Sequence, residues 1–205
     1  MFSFKSFLTE ANDKGGGLTI FDIDDTLLKT TARVIVMKGK KVVKRLEPHS
    51  YNTYTLQPGE TFDFHEFRNA EKFHNESTPI KAMMAKAKAI LKNSLNNPLS
   101  RVIIVTARDD FDDKDKFLAT FRKFGFDIDR VRVERAGKIK DVGGTAIQKM
   151  IIIRNYLNTK QFTRVRLFDD SLDNLRMFLS LQNEFKDIKF EAYFAKEDGS
   201  VRTVK

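Results

Sequence analysis

Carboxylates gather where apolar runs stop. Residues 18 to 28, LTIFDIDDTLL, hold a bulky apolar run that ends abruptly in Asp22, Asp24 and Asp25, followed by Thr26. This is the pattern of a buried strand that delivers acids to a cleft, the bland alternative being a strand that ends in an acidic turn. In an extended strand residues i and i+2 point to one side, so Asp22 and Asp24 are expected to face one substrate while Ile23 packs away from it. Buried acids in such numbers call for a cation. Further along, Arg101-Val-Ile-Ile-Val105 stops at Thr106, Ala107, Arg108, Asp109 and Asp110, and an expected strand over Arg164 to Phe168 ends in Asp169 and Asp170.

The elements that must carry these residues alternate strand with helix. A helix is expected from Thr78-Pro79 through the apolar stripe Ile80, Met83, Met84, Ala87, Ile90 and Leu91. Another is expected from about Asp112 to Phe124, closed by Gly125. Thr145 is placed to cap a helix through Leu157, with Lys149 near its first turn, and Ser171 to cap one containing Leu172, Leu175 and Phe178. Val131 and Val133 mark a third strand, and Phe190 to Ala195 a fifth before a polar tail. Such alternation predicts an α/β fold with a mostly parallel, five-stranded sheet and helices on both faces. In these sheets the ligand sits outside the carboxyl ends of the strands, where this chain places Asp22, Asp24, Thr106, Asp169 and Asp170.

The order Asp-x-Asp-x-Thr, then Thr at a strand end, then Lys, then Asp-Asp resembles the haloacid dehalogenase-like (HAD) phosphohydrolases. FDIDDTLL matches their first motif, VIIVTAR the second, Lys149 in TAIQKMIIIRNYL the third and LFDDSLDN the fourth, with Lys138 and Lys140 as competitors for the lysine. The likeness spans roughly residues 17 to 195 and implies a Rossmann-like core. It implies a magnesium ion held by Asp22, the Asp24 backbone carbonyl, Asp170 and Asp169. It implies Asp22 as a nucleophile forming an aspartyl-phosphate, Asp24 as general acid and base, Thr106 as a donor to the phosphoryl group and Lys149 as the balancing cation. Members that hydrolyse phosphate esters carry the second acid, so Asp24 points to a phosphatase. Asp25 stands where many relatives have Gly. Thr26 and Arg108 are candidates for substrate binding, Arg108 alternatively pairing with Asp109 or Asp110. Asp173 and Asn174 either orient metal-bound water or cap a helix. A phosphoacceptor receiver domain uses similar residues in a different order, and His49, His65 and His74 match no zinc spacing.

Charge and composition narrow the setting. The 205 residues carry a formal charge of +9, and the stretch from Lys29 to Arg108 holds 15 Lys or Arg against 6 Asp or Glu, so the rest is neutral. A basic rim beside an anionic substrate, or a solvated basic face, accounts for this. With no cysteine, disulfides and thiolate chemistry are excluded. No apolar run approaches the ~20 residues of a membrane helix, so no membrane partner is expected.

Residues 1–16 read as an amphipathic peptide and linker, and 17–205 as the catalytic domain, with a cap or flap insertion over about 29–78 whose hairpin turns at Lys38, Gly39 and Lys40. Residues 47–78 read as irregular. The opening MFSFKSFLTE resembles the capsid-targeting peptides of large tailed bacteriophages, with Leu8, Thr9 and Glu10 at a matching cleavage site; a helix packed on the domain is the other reading. The expected partner is a phosphorylated small molecule, a nucleotide, or a nucleic-acid end, with capsid or prohead association through residues 1–10. The expected location is the host-cell cytoplasm or the virion. The alternative function is a virion-associated or scaffolding protein that uses the fold for interaction.

Overall fold

Leu18 and Ile20 pack on one side of the first strand and Phe21 on the other, all fully buried, so this strand lies mid-sheet with both faces covered. The computed structural model describes residues 15–139 and 142–205. Within them the order is β1 (Gly16–Phe21), β2 (Leu28–Lys29), β3 (Val34–Lys38), β4 (Lys41–Leu46), α1 (Pro48–Thr53), β5 (Glu60–Asp63), α2 (Ala70–Glu76), β6 (Thr78–Pro79) and α3 (Lys81–Ser94). There follow β7 (Arg101–Thr106), α4 (Lys114–Lys123), β8 (Arg132–Arg135), α5 (Thr145–Leu157), β9 (Phe162–Asp169), α6 (Leu172–Ser180), β10 (Lys189–Ala195) and β11 (Val201–Val204). The N-terminal peptide, its Leu8-Thr9-Glu10 site and Lys140 lie outside the described residues.

The main sheet has six strands in the order β11-β10-β9-β1-β7-β8, and this corrects the expected five. The five expected strands run parallel, while β11, formed by the expected polar tail, pairs antiparallel with β10 through Ala195↔Val201 and Ala192↔Val204. Gly199, at φ +80°, closes the hairpin between them. One face of the sheet carries Phe21, Ile104 and Phe168 against α3 and α4. The other carries Leu18, Ile20, Ile103 and Leu167 against α5 and α6.

Several boundaries move. Gly16, expected at the end of a linker, begins β1; a Cβ on Gly16 would sit 2.1 Å from the Leu99 carbonyl oxygen, so only glycine fits. Thr78 and Pro79 form β6 against β2 instead of opening the helix, which starts at Lys81. Asp113 caps α4 by accepting from the Lys116 N–H, and Gly125 follows at φ +70°. Gly144, not Thr145, precedes α5, with no side-chain cap.

The insertion is ordered, where residues 47–78 read as irregular. Strands β4-β3-β5 form an antiparallel sheet, and α1 and α2 follow β4 and β5 in the chain. Val34, Val36 and Leu46 make its small core, flanked by Tyr51, Tyr54, Phe62 and Phe67. Its end is fastened to the loop after β7: the Asp112 N–H donates to the Arg68 carbonyl, and Asp112 accepts from the Ala70 N–H. No helix of the described residues is long and apolar enough to cross a membrane.

The same loop is braced from beneath by Gly137, where a Cβ would come 2.5 Å from the Ala107 carbonyl oxygen and 2.8 Å from the Asp109 nitrogen. Backbone cannot yield as a flexible side-chain end can. Gly137→Ala is therefore expected to lower stability by about 1–3 kcal/mol in urea unfolding, and an unchanged midpoint would contradict this contact.

Candidate active site

The strand register brings two acids together. Phe21 pairs with Phe168, so Asp22 and Asp169 each stand one residue beyond the same rung of neighbouring strands. Both continue the parity of Ile20 and Leu167 and so point to the face covered by α5. From that helix Lys149 reaches in, its Nζ donating to Asp22 Oδ1 at 2.7 Å and to Asp169 Oδ2 at 2.8 Å. Lys149 is only 3% exposed and lies one turn before Ile152 and Ile153, on the buried stripe of its helix. Lys138, a competitor in the sequence, is half-exposed and paired with Asp110.

Asp169 is fully engaged, for its Oδ1 also accepts from the Ser171 N–H at 2.9 Å and from Asn174 Nδ2 at 2.8 Å. Asn174 thus orients Asp169, while Asp173 faces solvent beside Arg176. Asp170 completes the group: oxygens of Asp22, Asp169 and Asp170 lie within 4.8 Å of one another. Three carboxylates against one ammonium leave two negative charges. Burial accordingly raises the Asp22 carboxyl well above its ordinary range, opposed by Lys149 and aided by the neighbouring aspartates. Burial and the charge of Asp169 raise Asp170 to about 7. An all-oxygen donor set with two excess charges fits a divalent ion such as magnesium.

Asp24 belongs to a different pairing. The strand has ended at Phe21, and residues 23–28 turn tightly, with the Leu27 and Leu28 N–H groups donating to the Ile23 carbonyl and Asp25 at φ 54°. Strand alternation therefore does not aim Asp24, as the sequence implied. Arg108 and Thr30 do. Arg108 donates from Nε and Nη2 to the two carboxylate oxygens at 2.9 and 2.7 Å, and the Thr30 hydroxyl adds a bond of 2.6 Å. Burial alone would raise Asp24; the Arg108 charge and these hydrogen bonds outweigh it and hold the carboxyl below its ordinary range. The Asp24 carboxylate is absent from the cluster of potential metal ligands found among the described residues.

Arg108 is correspondingly not a free substrate grip, nor is it paired with Asp109 or Asp110. It is 3% exposed, donates from Nη1 to the Phe67 carbonyl at 2.9 Å, and lies 5.0, 4.9 and 5.5 Å from the ring centroids of Phe67, Phe73 and Phe111. Arg135 and Lys138 take Asp110. Thr106 is fully buried at the end of β7, its hydroxyl accepting from the Arg108 N–H at 3.2 Å. Thr26, expected to meet substrate, is also fully buried, with its hydroxyl 3.5 Å from Asp170 Oδ1. Thr30 was missed by motif reading, since nothing in its neighbourhood marks it before the turn is seen.

No protein-family model matches the sequence, and no curated protein matches it. Among solved structures, the HAD domain of the effector protein Lem4 from Legionella pneumophila aligns with 89% of this chain and 87% of that chain, at a TM-score of 0.49 and 12% sequence identity.

The raised carboxyls give a pH signature. The folded protein keeps a proton on Asp170 up to about pH 7, whereas the unfolded chain releases it near 3.8, so without divalent ions stability falls as pH rises through that window. A cation that binds the ionised carboxylates opposes this fall. Magnesium is expected to raise the melting temperature more at about pH 7.5 than at about pH 5; equal increments at both would count against a metal site here.

Proposed function

We infer that the chain is a HAD-like phosphohydrolase, and more narrowly a magnesium-dependent phosphomonoesterase that works through an aspartyl-phosphate on Asp22. The single observation that carries this reading is the meeting of Asp22, Asp169 and Asp170 around buried Lys149. Three of the four stretches that resemble that family's motifs supply the residues concerned.

Asp22, Asp170 and the Asp24 backbone carbonyl would hold the ion, which when bound draws negative charge from the phosphoryl oxygens. Lys149 occupies one Asp22 oxygen, which holds the carboxylate in place and leaves the other oxygen to attack phosphorus. As the new bond to phosphorus forms, the ester bond breaks and the leaving oxygen takes a proton from Asp24. In the second half Asp24 accepts a proton from water as that water attacks phosphorus. The bond to Asp22 breaks, inorganic phosphate leaves and Asp24 is protonated again.

In the resting site Arg108 keeps Asp24 ionised, which suits the second half; the charge of a bound phosphoryl dianion raises its proton affinity for the first. Thr106 stands at the neighbouring strand end as a donor to the phosphoryl group. The basic excess between Lys29 and Arg108 favours a nucleotide or a nucleic-acid terminal phosphate as substrate.

Asp22→Asn is expected to reduce monoesterase turnover with magnesium by at least about 10³-fold, and equal turnover by both proteins would remove the reading. Asp24→Asn is expected to cost about 10²–10⁴-fold on alkyl phosphates and much less on p-nitrophenyl phosphate, whose leaving group needs little protonation. A loss of the same size on both substrates would deny Asp24 its proton-transfer role.

A further inference from the structure

Phenylalanine and tyrosine fall into two populations. Phe73, Phe111, Phe117, Phe121 and Phe126 are buried in the main core. On the insertion, Tyr54, Tyr51, Phe62, Phe64 and Phe67 are all partly or fully accessible, Phe64 to 43%. These rings form a continuous row. Tyr54 and Tyr51 lie 6.2 and 4.9 Å from Phe62, Phe62 lies 6.1 Å from Phe64, and Phe64 lies 6.4 Å from Phe67. The row ends at the site, because Phe67 carries the Arg108 guanidinium 5.0 Å above its ring and Arg108 holds Asp24.

Lysines accompany the rings. Val36 pairs with both Lys44 and Phe62, which puts those side chains on one face of the sheet, and Lys44 Nζ lies 5.2 Å from the Tyr54 centroid. Residues 41–45 are exposed along their whole length. Among the described residues, Lys38, Lys40, Lys41 and Lys44 have no acid within ion-pair distance, whereas Arg33 and Arg45 are paired with Glu47 and Glu66. The acids nearest the rings are engaged, Glu60 by the Tyr54 hydroxyl and Asp63 by His65.

Accessible rings alone would suit an apolar peptide, and lysines alone any polyanion. Together, along one path that leads to a phosphoryl-transfer site, they match unpaired bases that stack and a backbone that carries charge. Building on the phosphatase reading, we propose that the row from Tyr54 to Phe67, with Lys41 and Lys44, is a docking track for single-stranded nucleic acid that presents its terminal phosphate to Asp22. A duplex cannot offer its bases to this row, so single strands are the preferred form.

The test is fluorescence anisotropy with full-length Asp22→Asn protein and labelled, 3′- or 5′-phosphorylated oligothymidine or oligouridine of about twelve nucleotides. Phe64→Ala in that background is expected to weaken binding about tenfold. Lys41→Glu with Lys44→Glu is expected to flatten the dependence of log affinity on log salt by roughly 1.4. Lys41→Glu alters an exposed strand position and keeps the test open should Phe64→Ala lower the melting temperature. Absence of binding, equal affinity for duplex, or binding that ignores Phe64→Ala and is displaced equally by heparin would overturn the track. Because binding is read without turnover, a monoesterase assay in which Asp22→Asn stays active would sink the phosphatase reading separately.

Discussion

An ammonium group shut away from water is the constraint on which the rest of this structure depends. A buried charge without partners costs several kcal/mol, so burial of Lys149 obliges α5 to meet the ends of β1 and β9 with a carboxylate from each. The two carboxylates are not equivalent. Asp169 has donors on both oxygens, from Lys149, the Ser171 N–H and Asn174, and serves as a fixed anchor. Among the described residues Asp22 accepts a side-chain hydrogen bond only from Lys149, through Oδ1. Hydrogen-bond saturation thereby distinguishes two neighbouring acids of the same type.

Asp24 is governed from the opposite side of the sheet. Arg108 emerges from the loop after β7, spans to Asp24, and is closed in by rings from both the core and the insertion. Its bond to the Phe67 carbonyl makes the insertion part of the site, and Asp112 adds two further ties at Arg68 and Ala70. This end of the insertion is bolted to the core, so the position of Asp24 and the placement of the aromatic row are set together. Removing Arg108 would strand a largely buried carboxylate and at the same time loosen that junction.

The parallel sheet and the convergence of acids were legible because both leave local marks: apolar runs of strand length, and polar residues where those runs stop. Lys149 was legible only as one of three candidates with Lys138 and Lys140; its place on the buried stripe of Ile152 and Ile153 emerges with the packing of α5. The partner of Arg108 was not legible, since Asp24 lies 84 residues away and nearer acids, Asp109 and Asp110, offered themselves. The extended geometry assumed for Asp22 and Asp24 failed at the turn that begins with Ile23, where three N–H groups converge on one carbonyl. The sixth strand was hidden by its short polar sequence, although Asp198-Gly199 is a hairpin signal and Val201 and Val204 flank an exposed pair. Strand β5, Glu-Thr-Phe-Asp, carries almost no apolar alternation and is a strand only because β3 supplies its hydrogen bonds.

The insertion also explains why its aromatic surface is open to use. Its own buried cluster is three side chains, Val34, Val36 and Leu46, with Ile35 also buried on β3, too little to hold a three-stranded sheet by burial alone. Polar attachments make up the difference: buried Glu66 accepts from the Arg33 N–H and pairs with Arg45 and Lys72. Beyond β5, it is Phe67 and Asp112 that join the insertion to Arg108 and the core. These ties secure the insertion at its base, while Tyr51, Tyr54, Phe62 and Phe67 pack against its small core and stay partly exposed. Rings left partly accessible beside lysines with no acid partner, on a path that ends at Arg108 and Asp24, are the physical basis of the docking track proposed above.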